Sequence, residues 1–91
     1  MKGQLTGLIE AGLLTAGQEL TWRRPRRGDQ FALTVTADGQ LQIPDGSTWP
    51  SPFQAASRII GYPVDGWAVF TTATGQSLKE LKATLNRRNQ S

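Results

Sequence analysis

Two Asp-Gly pairs, in TADGQ at residues 36–40 and PDGS at 44–47, constrain this chain more than any other feature. Apolar and polar residues alternate around them, and a sheet needs the apolar set kept on one face. A two-residue loop at Asp38-Gly39 would set Thr36 opposite Leu41 and carry a polar residue onto the apolar face. A three-residue loop, Ala37-Asp38-Gly39 with Gly39 left-handed, sets Val35 opposite Leu41 and Leu33 opposite Ile43. The same loop at Pro44-Asp45-Gly46 sets Leu41 opposite Trp49. The pattern predicts a meander whose two loops each close on a glycine at positive φ, with Trp49 turned to the core.

Two further strands precede the meander's turns. Leu20 and Trp22 alternate with Glu19, Thr21 and Arg23, and Phe31, Leu33 and Val35 alternate with Ala32, Thr34 and Thr36. Their connection holds Arg23, Arg24, Arg26 and Arg27 together with Pro25 and Gly28. Ahead of them, QLTGLIEAGLL spaces Leu5, Leu8, Ile9 and Gly12 or Leu13 for a helix that Gly12 ends, with Leu13 and Leu14 tucked beneath it.

The stretch WPSPFQAASRIIGYPVDGW specifies a second helix. Ser51 caps it, Pro52 suits its first position and Gln54 completes a Ser-x-x-Gln capping box. Phe53, Ala56 and Ile60 form the expected inner stripe, with Ile59 beside them. Gly61 ends the helix and Pro63 prevents its resumption. WAVFT then reads as a short strand. A last helix opens on the capping box Ser77-Leu78-Lys79-Glu80 and buries Leu78, Leu81 and Leu85, with Lys82, Arg87 and Arg88 suited to its C-terminal end. Residues 86–91 read as a frayed tail.

The predicted fold class is α+β: a twisted antiparallel sheet, made of a meander of three to four short strands plus one C-terminal strand, packed with about three helices. Ninety-one residues make one domain over 1–91, with its core at about 5–85. The chain has neither cysteine nor histidine, so disulfides, the usual zinc ligands and the common nucleophile–base pairs are excluded. The seven carboxylates show no catalytic pairing, so the reading is not an enzyme, with no metal and no cofactor. No apolar run approaches a membrane span and no signal-peptide h-region is present, which reads as a cytoplasmic protein without a membrane partner.

Lys and Arg number ten against seven Asp and Glu, and seven of the ten are arginine, the residue suited to planar, bidentate recognition of phosphate. The arginine cluster has two readings. It contacts a DNA backbone, with Arg58 extending the basic face, or it is a solvated loop whose charges guard an edge strand. Trp67 also has two readings: an indole against which a base stacks, or a ring packed over Ala55, Ala56 and Ser57. Trp22 and Trp49 fall on core faces, and Ser51 is most simply a cap.

The order of signals is itself informative: LIEAGLL, a Gly turn, a strand ending in arginines, TADG, W-x-SP-x-x-AA, V-D-G-W, then SLKEL. Over about Leu5 to Leu85 this resembles the RAMA domain, the restriction enzyme adenine methylase-associated domain. The resemblance implies a compact α+β module that stands alone or accompanies DNA methyltransferases and restriction proteins. It implies DNA binding, with N6-methyladenine as the specific target. The family's Ser-Pro and Asn-Gly-Trp motifs, linked to DNA contact, map onto Ser51-Pro52 and Asp65-Gly66-Trp67, so Ser51, Asp65, Gly66 and Trp67 form the implied recognition lip. Three features depart from the family pattern. One serine replaces the three of Ser-Ser-Pro-Ser, Asp65 stands for Asn and exchanges an amide donor for a negative charge, and DGWAVF offers fewer aromatic faces than Asn-Gly-Trp-x-Phe-Trp. The implied partners are duplex DNA, adenine-methylated in the specific version, and a methyltransferase or restriction protein, in a nucleoid-associated setting if DNA is bound. The rival is a protein-interaction module that assembles such a complex without touching DNA. No heptad seam or symmetric motif speaks to an oligomeric state.

Overall fold

β1 (Glu19–Arg24) and β2 (Asp29–Val35) form an antiparallel ladder that sets Leu20 opposite Leu33 and Trp22 opposite Phe31. The alternating apolar residues of both strands therefore share one face. The computed structural model describes residues 3–24 and 27–89. Arg23 and Arg24 lie on β1 itself, opposite Gln30 and Asp29, so two of the four clustered arginines sit on the strand rather than in the connection.

The meander takes the register its turns demand. β3 (Leu41–Gln42) pairs with β2 through Val35 and Leu41, and β4 (Thr48–Trp49) pairs with β3 through Leu41 and Trp49. The four strands lie in the order β1-β2-β3-β4. The Thr36 N–H donates to the Gln40 carbonyl at 2.9 Å around Gly39 at φ 79°, and Ile43 N–H donates to Ser47 at 2.9 Å around Gly46 at φ 90°. Each turn is also held by its aspartate. The Thr36 hydroxyl donates to the Asp38 carboxylate and holds it below the usual carboxylate range. The Ser47 hydroxyl, at 2.6 Å, and the Ser47 N–H, at 2.8 Å, do the same for Asp45.

Gly39 has a second duty. A Cβ there would lie 2.4 Å from Thr6 Oγ1, because the N-terminal segment runs against the turn. Gly3 N–H donates to Asp38 at 2.8 Å and Leu5 N–H donates to Gly39 at 3.1 Å, which clamps α1 (Thr6–Glu10) to the sheet. Gly12, at φ 78°, follows the end of α1 as expected.

α2 (Pro52–Ile60) starts and stops where its caps place it: Gln54 N–H donates to Ser51 Oγ at 3.1 Å, and Gly61 at φ 88° closes the last turn. Its inner face differs from the expected stripe. Pro52, Ala55 and Ala56 are buried, Ile59 and Ile60 are half-buried, and Phe53 is 48 % exposed. The small Ala55-Ala56 pair lets the helix backbone approach the sheet closely, and that rotation carries Phe53 outward.

The expected strand at WAVFT is instead a single helical turn, α3 (Gly66–Val69). Asp65 caps it by accepting the Trp67 N–H at 3.1 Å, and Phe70 N–H donates to Gly66 at 3.0 Å. An unbroken apolar run fits either period, and the aspartate cap decides it here. All that remains of a C-terminal strand is Thr71, which bridges Thr21 of β1 and Ser77. Phe70, just after the turn, is fully buried and meets Trp22 edge-on at 5.8 Å. α4 (Leu78–Asn89) is capped by Ser77, which accepts the Glu80 N–H at 3.2 Å, and buries Leu78 and Leu81. It continues through Asn89, so most of the expected frayed tail is helical; residues 90–91 lie outside the described residues. No helix among the described residues is long and apolar enough to cross a membrane.

Candidate nucleic-acid interface

The two motifs on either side of α2 meet in space. Gly66 lies so close to the first turn of α2 that a Cβ would stand 2.0 Å from the Pro52 carbonyl oxygen. Pro50, just ahead of the Ser51 cap, accepts the Gln4 N–H at 2.7 Å, which brings the N-terminal segment to the same place. Ser51, Asp65, Gly66 and Trp67 are thus gathered as one lip, but they are not equivalent. Ser51 is buried and its hydroxyl is used by the Gln54 amide. Gly66 is buried and permits the close approach. Asp65 is exposed, with one carboxylate oxygen engaged by the Trp67 N–H. Trp67 alone presents a large half-buried surface.

The Trp67 indole faces α1 and α4. It lines an open recess of about 360 Å³ with Gln4, Gly7, Leu8, Lys82, Leu85 and Asn86. The Lys82 ammonium stands 4.8 Å from the ring centroid, within cation–π range. Gln4 and Asn86 were not among the residues the sequence singled out, and Lys82 was read only as a charge suited to the C-terminal end of the last helix. A signal for Lys82 does exist, since it follows Leu78 by one helical turn and precedes Leu85 by another, on the apolar side of α4.

Arg24 meets Tyr62, just past the C-terminal end of α2, whereas Arg23, on the opposite face of β1, lines a recess with Thr21, Thr71, Thr72, Ala73 and Gly75. Arg24 is largely buried: its guanidinium lies 5.6 Å from the Trp22 ring, 3.6 Å from the Asp29 carboxylate, and donates to the Tyr62 hydroxyl at 3.4 Å. It belongs to the fold as much as to any surface. Arg23 and Arg27 are exposed, and neither side chain has a hydrogen bond or ion pair among the described residues. Arg26 lies outside the described residues. Arg58, on the exposed side of α2, stands 5.9 Å from the Trp49 ring, and its charge adds to the depression of the Asp45 carboxyl. The nine residues of α2 span about 13.5 Å at 1.5 Å each, with the Ser51 cap at one end and Tyr62, which Arg24 meets, just past the other.

A family model described as Restriction Enzyme Adenine Methylase Associated matches residues 1–91. The chain belongs to the RAMA family. The match covers the whole of this RAMA domain, including the Ser-Pro and Asp-Gly-Trp motifs that meet at the lip, and it associates the domain with restriction and adenine-methylation systems. No curated protein matches the chain.

Proposed function

We propose that this RAMA domain is a non-catalytic DNA-binding module. It takes an adenine, preferentially N6-methylated, at the Trp67 recess while the β1–β2 hairpin holds the phosphate backbone. The observation that carries the reading is the recess itself. It has one aromatic wall, two primary amides in Gln4 and Asn86, and a cation in Lys82. Amide side chains suit the N6 and N7 edge of adenine, and N6-methylation leaves one N6–H to be read. The methyl group is favoured against an indole rather than water by about 0.8 kcal/mol, the worth of one buried carbon. A volume near 360 Å³ lies within the range of small-ligand pockets.

Roles divide as the geometry divides. Trp67 is the base-facing residue, Gly66 and Ser51 build the lip, and the Asp65 carboxylate sets Trp67 through the α3 cap. Arg23 and Arg27 are exposed for phosphate contact, with Arg26 beside them in sequence and Arg58 along α2.

Titration of matched duplexes, unmethylated and adenine-methylated, at two salt concentrations tests the reading. The methylated duplex should bind more tightly, and Trp67→Ala should remove the preference while the fold survives. A module that only joins a methyltransferase or restriction protein would bind neither duplex at low salt, and that result would end the DNA reading.

A further inference from the structure

Phe53 and Tyr62 are the large hydrophobic residues left exposed among the described residues, at 48 % and 52 %. Scattered exposed rings are ordinary, but these two line one open trough of about 370 Å³ with Ser57, Arg58, Gly61 and Pro63. The trough lies between α2 and the segment that returns along it: the Ser57 hydroxyl donates to Phe53 at 2.7 Å and accepts the Val64 N–H at 3.3 Å. Phe53, Ser57 and Gly61 follow one another at four-residue intervals, so they lie in one row along the helix. A large ring thus stands at each end of a floor made of a serine and a glycine. The two rings make no contact with each other among the described residues, so neither covers the other's face.

We infer that this trough is a stacking platform for unpaired nucleobases, so that the domain engages a short single-stranded segment at a place separate from the Trp67 recess. Residues 53 to 61 span about 12 Å of helix, the rise of three to four stacked nucleotides at 3.4 Å each. The charge pattern favours a polyanion. Arg58 is the charged residue lining the trough, and the Tyr62 hydroxyl accepts from Arg24, which brings a second guanidinium to its edge. Asp29 and Asp45 partly offset Arg24 and Arg58, and no carboxylate among the described residues lines the trough. A protein anchor is best served by an enclosed, fully desolvated pocket. An open slot with a ring at each end and cations alongside instead has the make-up of a sequence-tolerant single-strand site.

The inference does not rest on the Trp67 recess, and one set of variants separates the two. The probe is a fluorescent oligothymidine, compared with an abasic oligomer of the same length and charge, at low salt. Oligothymidine should bind at least about tenfold more tightly than its abasic counterpart, since two stacked bases supply that margin. Phe53→Ala and Tyr62→Ala should each weaken oligothymidine binding about fivefold or more, the lower end of the worth of one stacked base. Tyr62→Phe, which keeps the ring, and Trp67→Ala, which belongs to the other recess, should change it less than about twofold. Both rings are exposed, so the alanine variants should melt as the parent does. Equal binding of the abasic oligomer, or ring variants that bind like the parent, would overturn the inference. An acidic peptide of matched charge that binds more tightly than oligothymidine would assign the trough to a protein partner instead.

Discussion

At Gly66 a hydrogen stands where any other residue would bring a carbon. The Pro52 carbonyl oxygen is 2.0 Å and the Phe70 ring 2.9 Å from where that carbon would be, and backbone on one side cannot yield as a flexible side chain can. Gly66→Ala should therefore push α3 away from α2 and destabilise the domain by about 1–3 kcal/mol. That is a fall in melting temperature of about 4–8 °C per kcal/mol for a domain of this size, read by thermal denaturation. The neighbouring residue makes the opposite case. Asp65 caps α3 through one oxygen, and asparagine caps about as well, so Asp65→Asn should leave the melting temperature close to the parent's. It also removes a negative charge from the lip. Repulsion between unit charges about 4 Å apart in water is about 1 kcal/mol, so duplex affinity should rise by up to about fivefold at low salt.

The two three-residue turns and α2 set the behaviour of the elements. Asp38 and Asp45 have carboxyls depressed by the hydroxyls of Thr36 and Ser47. A pKa lower in the folded than in the unfolded chain means that the unfolded state binds more protons, so stability rises with pH across the window between the two values. The turns' contribution is complete above the ordinary carboxylate range and is lost as pH falls through the depressed folded values. A variant carrying both Asp38→Asn and Asp45→Asn should lose less stability on acidification over that window than the parent, as seen in melting curves against pH. The cap of α2 is set in the interior, since Ser51 is buried and its hydroxyl accepts a backbone amide. Ser51→Ala should cost about 1 kcal/mol, with the loss appearing in stability before it appears in binding.

Across the whole molecule, the position of Arg24 alters what salt should do to DNA binding. Four engaged arginines would give a slope of log K on log[salt] of about −3.6, and three would give about −2.7. Arg24 lies against Trp22, Asp29 and Tyr62, so the lower figure is expected for the hairpin. Arg23→Ala and Arg27→Ala should each reduce the slope by about 0.9 and leave stability unchanged. Arg24→Ala should do the reverse, lowering the melting temperature through lost packing on the Trp22 ring while the slope barely moves. Salt titrations and melting curves of the three variants together check this division.

The sequence by itself determined whatever depends on neighbours along the chain. The meander register follows from alternation and from glycines that take the left-handed turn without strain, and the helix limits at Ser51, Gly61 and Ser77 follow from cap chemistry. The arginine cluster and the Ser-Pro and Asp-Gly-Trp motifs were equally legible. Only the tertiary structure decided the rest. Local period cannot choose between strand and helix for an apolar run such as Trp67 to Phe70, nor say which face of α2 a pair of alanines draws inward. The Asp65 cap, with Gly66 set against the first turn of α2, settled the former, and the burial of Ala55 and Ala56 settled the latter and left Phe53 exposed. The same packing divided residues that look alike in sequence. It turned Arg24 inward, left Arg23 out and set Lys82 over Trp67. Burial and charge pairing between distant segments depend on where those segments meet, and no spacing along one segment encodes that.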